Sequence, residues 1–234
     1  MPVRAVTFDC AQTLMKVDWR PDVFAVSCAE AAGIRMPAHA RDLYLQLFLA
    51  RQEQFLEANR LRSNQACKAF YEDLCATWLE RLDLGCDLVP SIMEAGDRLA
   101  FGPESILFEP FSESIGAVQA VRDSGVRTAV LSNWDITLHR VLDTFGFGQL
   151  VEFAIASLEE GYEKPDPRLF DLAVQRFGLR HDEVLHVGDS VVDDFEGAEN
   201  AGLLACLIDR GTEPKLPFRI SSLTQVPEAI ACYG

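Results

Sequence analysis

The sequence has no apolar run that approaches the ~20 residues needed to cross a membrane as a helix. Its first four residues also lack the long apolar stretch of a secretory leader. We therefore expect no membrane partner and no export. Positive charge is scarce as well, because 21 Lys and Arg stand against 36 Asp and Glu, and the formal net charge is −15. So large a negative charge disfavours nucleic acid as a partner.

The seven cysteines include no CxxC pair, and their number is odd. Disulfide frameworks and zinc sites have closer, paired spacings, so this pattern indicates reduced thiols that fill small core positions. Reduced thiols are typical of a reducing compartment. The composition therefore predicts a cytoplasmic protein.

Short apolar, β-branched runs alternate with helical patterns along much of the chain. The strand-like runs are residues 3–8, 127–131, 153–156, 184–187 and 203–208. Gly125 is typical of the residue that follows a helix, and Asp166-Pro167 is typical of a helix start. This alternation predicts an α/β fold with a parallel sheet that is covered on both faces.

Residues 17–104 interrupt this alternation, because they contain helical patterns and no convincing strand. One apolar stripe runs through Phe70, Leu74 and Trp78 at helical spacing and is expected to be core. We predict a sheet domain made of residues 1–16 and 105–234, with residues 17–104 inserted as a separate helical domain. Pro103 and Pro110 suit the connection back to the sheet.

Polar residues follow the predicted strands where each strand ends. Asp9 follows the first strand, Ser132 the second, Lys164 the third, and Asp189 and Asp194 the fourth. Because ligands bind at the carboxyl ends of parallel strands, these side chains are expected to meet. Three carboxylates with one lysine as the opposing charge would repel one another. A hard divalent cation with oxygen ligands, such as Mg²⁺, removes that conflict.

In this order, the segments resemble the motifs of the haloacid dehalogenase superfamily. Residues 9–14 (DCAQTL) are similar to motif one, Ser132 to motif two, Lys164 to motif three, and residues 188–194 (GDSVVDD) to motif four. The resemblance implies a Rossmann-like parallel sheet core with an all-helical cap inserted between motifs one and two. It also implies a Mg²⁺-dependent phosphohydrolase that acts on a small phosphorylated molecule.

The resemblance also implies a role for each matching residue. Asp9 would be the nucleophile and form an aspartyl-phosphate, with Lys164 and Ser132 as the other catalytic residues. The phosphate would be bound by Ser132, by the backbone amide of Asn133 and by Lys164. The metal ligands implied are Asp9, the carbonyl of Ala11, Asp189 and, through the water shell, Asp194.

Ala11 departs from the family pattern, because most phosphatases of the superfamily carry a second aspartate at that position. That aspartate protonates the leaving oxygen and later activates water, and alanine does neither. General acid–base help is typically worth ~10²–10⁴ in rate. We therefore expect weaker turnover, with metal binding retained through the backbone carbonyl of Ala11.

Other functions remain open on the sequence alone. A metal-independent 2-haloacid dehalogenase would use Asp9 on carbon, with Arg41 as a candidate halide ligand, and such enzymes usually have Tyr where Ala11 stands. A phosphate- or protein-binding module would retain the fold with little or no catalysis. Alanine at this position also occurs in phosphonoacetaldehyde hydrolases, which use a cap lysine, for which Lys68 and Lys16 are the candidates here. The sequence specifies neither the substrate nor the oligomeric state.

Overall fold

The computed structural model describes residues 2–103 and 105–233. The chain divides into two compact units, of which residues 1–16 and 110–234 form the first and residues 17–109 the second. The boundary predicted between residues 104 and 105 falls partly outside the described residues. In the structure the chain changes unit between residues 109 and 110.

The described residues form eight strands and eleven α-helices. The strands are β1 (Ala5–Phe8), β2 (Met15–Val17), β3 (Phe108–Pro110), β4 (Arg127–Ser132), β5 (Ala154–Ala156), β6 (Val184–Gly188), β7 (Leu204–Ile208) and β8 (Arg219–Ile220). The helices are α1 (Pro21–Ala31), α2 (Ala40–Ala50), α3 (Gln52–Arg60), α4 (Asn64–Arg81), α5 (Val89–Phe101), α6 (Ser114–Asp123), α7 (Thr137–Thr144), α8 (Ser157–Glu160), α9 (Pro167–Phe177), α10 (Gly197–Asn200) and α11 (Val226–Cys232).

The first unit is built on a six-stranded sheet with the strand order β5-β4-β1-β6-β7-β8. Every neighbouring pair in this sheet is parallel, which confirms the predicted fold class. The five predicted strand-like runs correspond to β1, β4, β5, β6 and β7. Strand β8 was not predicted, because two residues are too few to produce an alternating pattern.

The sheet is buried because its strands are apolar and helices cover it. All four residues of β1 are fully buried, and so are all five of β6. Leu169 and Phe170 of α9 pack with Leu131 of β4 and Val184 of β6 in one apolar core. Burial on both faces leaves the strand ends as the places where polar side chains can gather.

The helix ends of this unit follow the residues that the sequence pattern singled out. The carboxylate of Asp166 accepts a hydrogen bond from the backbone N–H of Arg168 at the start of α9. Gly125 follows α6 with a φ of +85°, a left-handed conformation that costs glycine little. Both ends therefore confirm the predicted capping residues.

The second unit contains helices α1 to α5, and the described residues between 18 and 107 include no strand. Trp78 of α4 is fully buried and donates a hydrogen bond from Nε1 to the carbonyl of Ala40, 2.8 Å away. Tyr44 lies edge-on to Trp78, with ring centroids 5.2 Å apart. The aromatic stripe is thus the core of this unit, as predicted.

Strands β2 and β3 lie where the chain passes between the two units. They form a two-stranded sheet of their own and do not join the six-stranded sheet. No helix among the described residues is both long enough and apolar enough to span a membrane.

Candidate active site

Three neighbouring strands bring the predicted site residues to one edge of the sheet. Strand β1 lies between β4 and β6. Asp9 directly follows β1, Ser132 is the last residue of β4, and Asp189 directly follows β6. Because the strands are parallel, their carboxyl ends meet at the centre of this edge.

Asp9 is held at this centre and is only 6% exposed. Its Oδ1 accepts hydrogen bonds from the Ser132 hydroxyl at 2.9 Å and from Lys164 Nζ at 2.7 Å. Burial raises the pKa of the Asp9 carboxyl and Asp194 adds to the increase, whereas Lys164 and Ser132 act in the opposite direction. The two hydrogen bonds from Ser132 and Lys164 fix the orientation of the Asp9 carboxylate.

Lys164 lies between two carboxylates and is 4% exposed. Its Nζ donates to Asp9 and also to Asp194. Burial disfavours the charged amine, but Asp9 and Asp194 outweigh burial and raise the pKa of Lys164. Lys164 is therefore a permanent positive charge against the candidate nucleophile.

The side chain of Asn133 braces the backbone of this lysine. Its Oδ1 accepts a hydrogen bond from the Lys164 backbone N–H at 2.7 Å, and its Nδ2 donates to the Lys164 carbonyl at 3.0 Å. The family resemblance implied a role only for the backbone amide of Asn133. Its side chain was missed because the two segments are distant in the sequence.

Asp194 is 2% exposed and accepts hydrogen bonds at both carboxylate oxygens. Lys164 and Nε2 of His186 contact Oδ1, the latter at 3.0 Å, and the backbone N–H of Ser190 donates to Oδ2 at 2.9 Å. Burial opposes ionisation of Asp194, but Lys164 and His186 outweigh it and hold its pKa well below the usual range. Asp194 is thus ionised and held by three donors.

Gly188 makes room for this arrangement. A Cβ at position 188 would lie 2.2 Å from Cγ of Asp194, so any other residue would displace that carboxylate. Asp194 lies on a single π-helical turn, Val191–Glu196, a local geometry frequent at functional sites.

Asp189 lies exposed at the rim, and the Thr13 hydroxyl donates to its Oδ1 at 3.3 Å. Partial burial raises the pKa of Asp189, and the nearby Asp194 adds to the increase. One ligand oxygen each from Asp9, Asp189 and Asp194 lies within 4.8 Å of the others. Three carboxylates with Lys164 as their charged partner leave negative charge that a hard divalent cation would balance, so this oxygen donor set fits Mg²⁺.

Ala11 lies two residues beyond Asp9, half-buried, in a bridge with Met15. Gln12 follows it with a φ of +56°, a left-handed conformation that is uncommon outside glycine. Arg210, from the loop after β7, donates to the carbonyls of Gln12 and Thr13 at 2.8 and 2.9 Å. Arg210 was not predicted as a site residue, because it belongs to none of the sequence motifs.

His186 is a second residue that the sequence analysis missed. It lies inside β6, buried, with Nδ1 2.8 Å from the hydroxyl of Thr7 on β1. Burial lowers the pKa of His186, although Asp194 acts in the opposite direction. A histidine within the apolar run Val-Leu-His-Val was the available signal.

Residues considered for the alternative functions have partners of their own. Arg41 forms an ion pair with Asp22, with Nη2 2.8 Å from the carboxylate. Lys68 is exposed beside Glu72, 3.6 Å away. Nζ of Lys16 lies 5.8 Å from the ring centroid of Phe111. An exposed, paired lysine such as Lys68 lacks the burial that would lower its pKa for Schiff-base chemistry.

Comparison with known proteins places the chain among hydrolases. A family model for haloacid dehalogenase-like hydrolases matches residues 3–202. The chain is 28% identical to haloacid dehalogenase-like hydrolase domain-containing protein 3 of Danio rerio, over 90% of this chain and 86% of that protein. It is 27% identical to haloacetate dehalogenase H-2 of Moraxella, over 97% and 92% of the two chains.

The chain is also similar to a phosphatase over about half its length and to the solved structure of a dehalogenase over nearly all of it. The chain is 33% identical to the phosphoserine phosphatase of Thermus thermophilus, over 54% of this chain and 53% of that protein. A 2-haloacid dehalogenase structure from Pseudomonas syringae superposes with a TM-score of 0.70 at 21% identity, over 99% of this chain and all of the other. With the family model covering most of the sheet unit and the whole helical unit, the chain belongs to the haloacid dehalogenase-like hydrolases.

Proposed function

We infer that this protein is a Mg²⁺-dependent phosphohydrolase that acts on a small phosphorylated molecule through an aspartyl-phosphate. The carrying observation is the cluster of Asp9, Asp189 and Asp194, whose ligand oxygens lie within 4.8 Å of one another. Attack on carbon needs no such cluster, whereas phosphoryl transfer is commonly supported by a metal held on carboxylates. Similarity to a phosphatase over half the chain supports the same proposal.

Each residue of the site has a definite task in this reaction. Asp9 attacks phosphorus, so that a bond forms between its carboxylate oxygen and phosphorus while the bond to the leaving oxygen breaks. Ser132 and the backbone N–H of Asn133 bind phosphoryl oxygens, and Lys164 balances negative charge on Asp9 and on the phosphoryl group. Water then attacks phosphorus, which releases phosphate and restores Asp9.

Asp9, Asp189 and the carbonyl of Ala11 would hold the metal, and Asp194 would order its water shell. When bound, Mg²⁺ supplies positive charge that neutralises the phosphoryl oxygens and orients them for in-line attack. The carboxylates alone would repel the phosphoryl dianion, so the site requires this cation for substrate binding.

The direct test is a phosphatase screen against a broad metabolite panel and aryl phosphates, with Mg²⁺ and with chelator. We expect turnover that requires Mg²⁺, that is lost in Asp9→Asn, and that is accompanied by a mass increase of one phosphoryl group on Asp9. Asp171→Asn, which changes an exposed aspartate paired with His181, serves as the control. Phosphate release that is unaffected by chelator would contradict the metal assignment.

A second candidate is a 2-haloacid dehalogenase, which is favoured by the lack of an aspartate at position 11 and by similarity to a haloacetate dehalogenase over nearly the full chain. In that reaction Asp9 would attack carbon and release halide, with no metal required. Halide release from 2-haloacids in the presence of chelator would therefore replace the first proposal. Absence of both activities, with retained phosphate binding, would favour a binding module.

A further inference from the structure

We propose that His186 is a positioning residue: by donating to Asp194 it fixes the carboxylate that holds Lys164 against Asp9. The kinetic part of this proposal rests on the proposed hydrolysis and its metal-binding part on the proposed Mg²⁺ site, whereas its structural part rests on neither. His186 touches none of the reacting atoms assigned above and acts through Asp194.

The imidazole of His186 is completely enclosed, and each of its ring nitrogens has one partner. Nδ1 lies 2.8 Å from the Thr7 hydroxyl, and Nε2 lies 3.0 Å from Oδ1 of Asp194. Thr7 and His186 are direct register partners on β1 and β6, so their side chains lie together on one face of the sheet. The ring of Phe170 packs edge-on against the imidazole, with centroids 5.3 Å apart.

The chemistry of these partners determines the direction of the hydrogen bonds. An ionised carboxylate such as Asp194 only accepts, so Nε2 must carry a proton. Both the neutral Nε2–H tautomer and the imidazolium satisfy this requirement. In the neutral ring Nδ1 accepts the proton of the Thr7 hydroxyl, which fixes the tautomer as well as the ring orientation.

The consequence is a continuous chain of contacts from the interior of the sheet to the candidate nucleophile. Thr7 contacts His186, His186 contacts Asp194, Asp194 contacts Lys164, and Lys164 contacts Asp9. Thr7 and His186 lie on rigid central strands, whereas Asp194 and Lys164 lie outside them. The two strand residues therefore anchor the two charged groups that follow.

Removal of the Nε2 donor should free one side of Asp194. Ser190 would still hold Oδ2, but Oδ1 would retain only Lys164, which also contacts Asp9. The carboxylate could then rotate about the Ser190 contact, and Lys164 would follow it or move toward Asp9. Residues that orient metal-site groups in this way typically change metal affinity by ~10–100-fold when mutated.

Two substitutions of similar size separate donation from packing. The amide nitrogen in His186→Gln is three bonds from Cβ, as Nε2 is in histidine, so this variant retains a donor toward Asp194. His186→Met fills similar space with no donor. We expect isothermal titration with Mg²⁺ to give affinity within about threefold of the natural protein for His186→Gln and ~10-fold weaker or worse for His186→Met.

Thr7, the other strand residue in this chain of contacts, can be tested against a control threonine. Thr7→Val removes the hydroxyl that orients the ring, and we expect weaker Mg²⁺ binding. Thr128→Val makes the same change at another buried threonine, on the adjacent strand β4, whose hydroxyl donates to the carbonyl of Leu150. Thr128→Val should lower stability to a similar extent and leave Mg²⁺ affinity unchanged.

Crystal structures of His186→Met and His186→Gln provide a readout that needs neither metal nor activity. We expect the Asp194 carboxylate to rotate, with a changed Lys164 contact, only in His186→Met.

For any substrate that the natural protein turns over, kcat should fall ~10-fold or more in His186→Met with a smaller change in KM. His186→Gln should retain most of the natural kcat.

The outcomes distinguish this proposal from the proposed function. If the natural protein binds Mg²⁺ without hydrolysing any phosphate ester, the proposed function fails while the His186 comparison still stands on affinity and structure. If the natural protein binds no Mg²⁺, the crystal structures decide. An unmoved Asp194 in a folded His186→Met variant, or equal Mg²⁺ affinity in both variants, overturns the proposal and makes His186 a packing residue only.

Discussion

Ala11 is the residue whose side chain most limits the proposed chemistry. Without an acid at this position, the leaving oxygen must depart as an anion, so the rate should depend steeply on its acidity. Asp135, which lies shortly after β4, and Asp18, which follows β2, are two carboxylates that could be considered in its place, but each has partners of its own. Asp135 accepts hydrogen bonds from the backbone N–H and the hydroxyl of Thr137, and Asp18 is paired with Arg20 at 2.7 Å.

Ala11→Asp should therefore restore acid–base help. We expect hydrolysis of alkyl phosphates to rise by up to ~10²–10⁴, with a smaller gain for aryl phosphates, whose leaving groups need no proton. Steady-state rates across leaving groups of graded pKa provide the measurement, with Ala11→Asn as the control that cannot supply a proton. Efficient alkyl phosphate hydrolysis by the natural protein, unchanged in Ala11→Asp, would show that another group acts as the acid.

Gly188 and Gly116 provide a second comparison between single residues. Gly188→Ala places a methyl group 2.2 Å from Cγ of Asp194 and should lower the free energy of unfolding by ~1–3 kcal/mol, with loss of any Mg²⁺ binding. Gly116 lies in α6 with nothing within 4 Å of its added methyl, so Gly116→Ala should raise stability by ~0.5–1 kcal/mol. Urea unfolding measures both. If both substitutions changed the free energy of unfolding equally, the Asp194 carboxylate would be able to move away from the added methyl group without loss of stability.

At the level of elements, the loop after β7 is tied to the loop that follows Asp9. The Arg210 guanidinium donates to the carbonyls of Gln12 and Thr13 and to Glu113 at the start of α6. It also lies over the ring of Phe111, 3.5 Å from the centroid. A single side chain therefore connects three segments of the sheet unit, including the turn in which Gln12 adopts a positive φ.

Arg210→Ala should lower the free energy of unfolding by ~1–3 kcal/mol, because two carbonyls lose charged donors and a ring loses its stacked cation. Arg210→Lys should recover only part of this, since an ammonium cannot reproduce the guanidinium fork. Arg168→Ala is a suitable control, because exposed Arg168 also stacks on a ring, that of Tyr162, but its guanidinium pairs with half-buried Asp166 in its own segment. Urea unfolding measures these changes. An equal loss of unfolding free energy in Arg168→Ala and Arg210→Ala would contradict this account.

The elements also show what sequence patterns can and cannot predict. Strands such as β1 and β6 were predicted because both faces are buried, which gives continuous apolar runs. Strands β2, β3 and β8 are two or three residues long and give no period. The residues that line the site were predicted from motif order, but the partners of those residues were not. The Thr7–His186 and Asn133–Lys164 contacts join segments that only the folded sheet brings together.

Across the whole molecule, the seven cysteines test the packing of both units at once. Cys86 and Cys232 are exposed and the other five are buried. Burial raises the pKa of Cys28 and of Cys206 to about 12 and that of Cys75 to about 11. A thiol reagent at pH 8 should therefore label two cysteines in the native protein and seven after unfolding. Rapid labelling of a third cysteine, located by peptide mass mapping, would show that one of the units opens readily.

The negative charge of the whole molecule and the negative charge of the site both affect the stability of the folded protein. The net charge of −15 and the cluster of Asp9, Asp189 and Asp194 both disfavour the folded state when no cation is bound. The pKa of Asp189 is raised in the folded protein, so its ionised form destabilises the fold. This cost is present above the folded-state pKa and disappears as the pH falls below the unfolded value.

Asp189→Asn removes that charge and keeps a group that can accept the Thr13 hydrogen bond. Without Mg²⁺ it should melt at the same temperature as the natural protein or up to ~4 °C higher, since an exposed charge is worth at most ~1 kcal/mol.

Added Mg²⁺ should raise the melting temperature of the natural protein, because a ligand bound only to the folded state stabilises it by RT ln(1 + [L]/Kd). In Asp189→Asn this increase should be nearly absent, so the order of the two melting temperatures should reverse at millimolar Mg²⁺. Asp171→Asn, an exposed aspartate outside the cluster, should retain the full increase. If Mg²⁺ raises the melting temperature of Asp189→Asn as much as that of the natural protein, the cation binds elsewhere and the metal assignment fails.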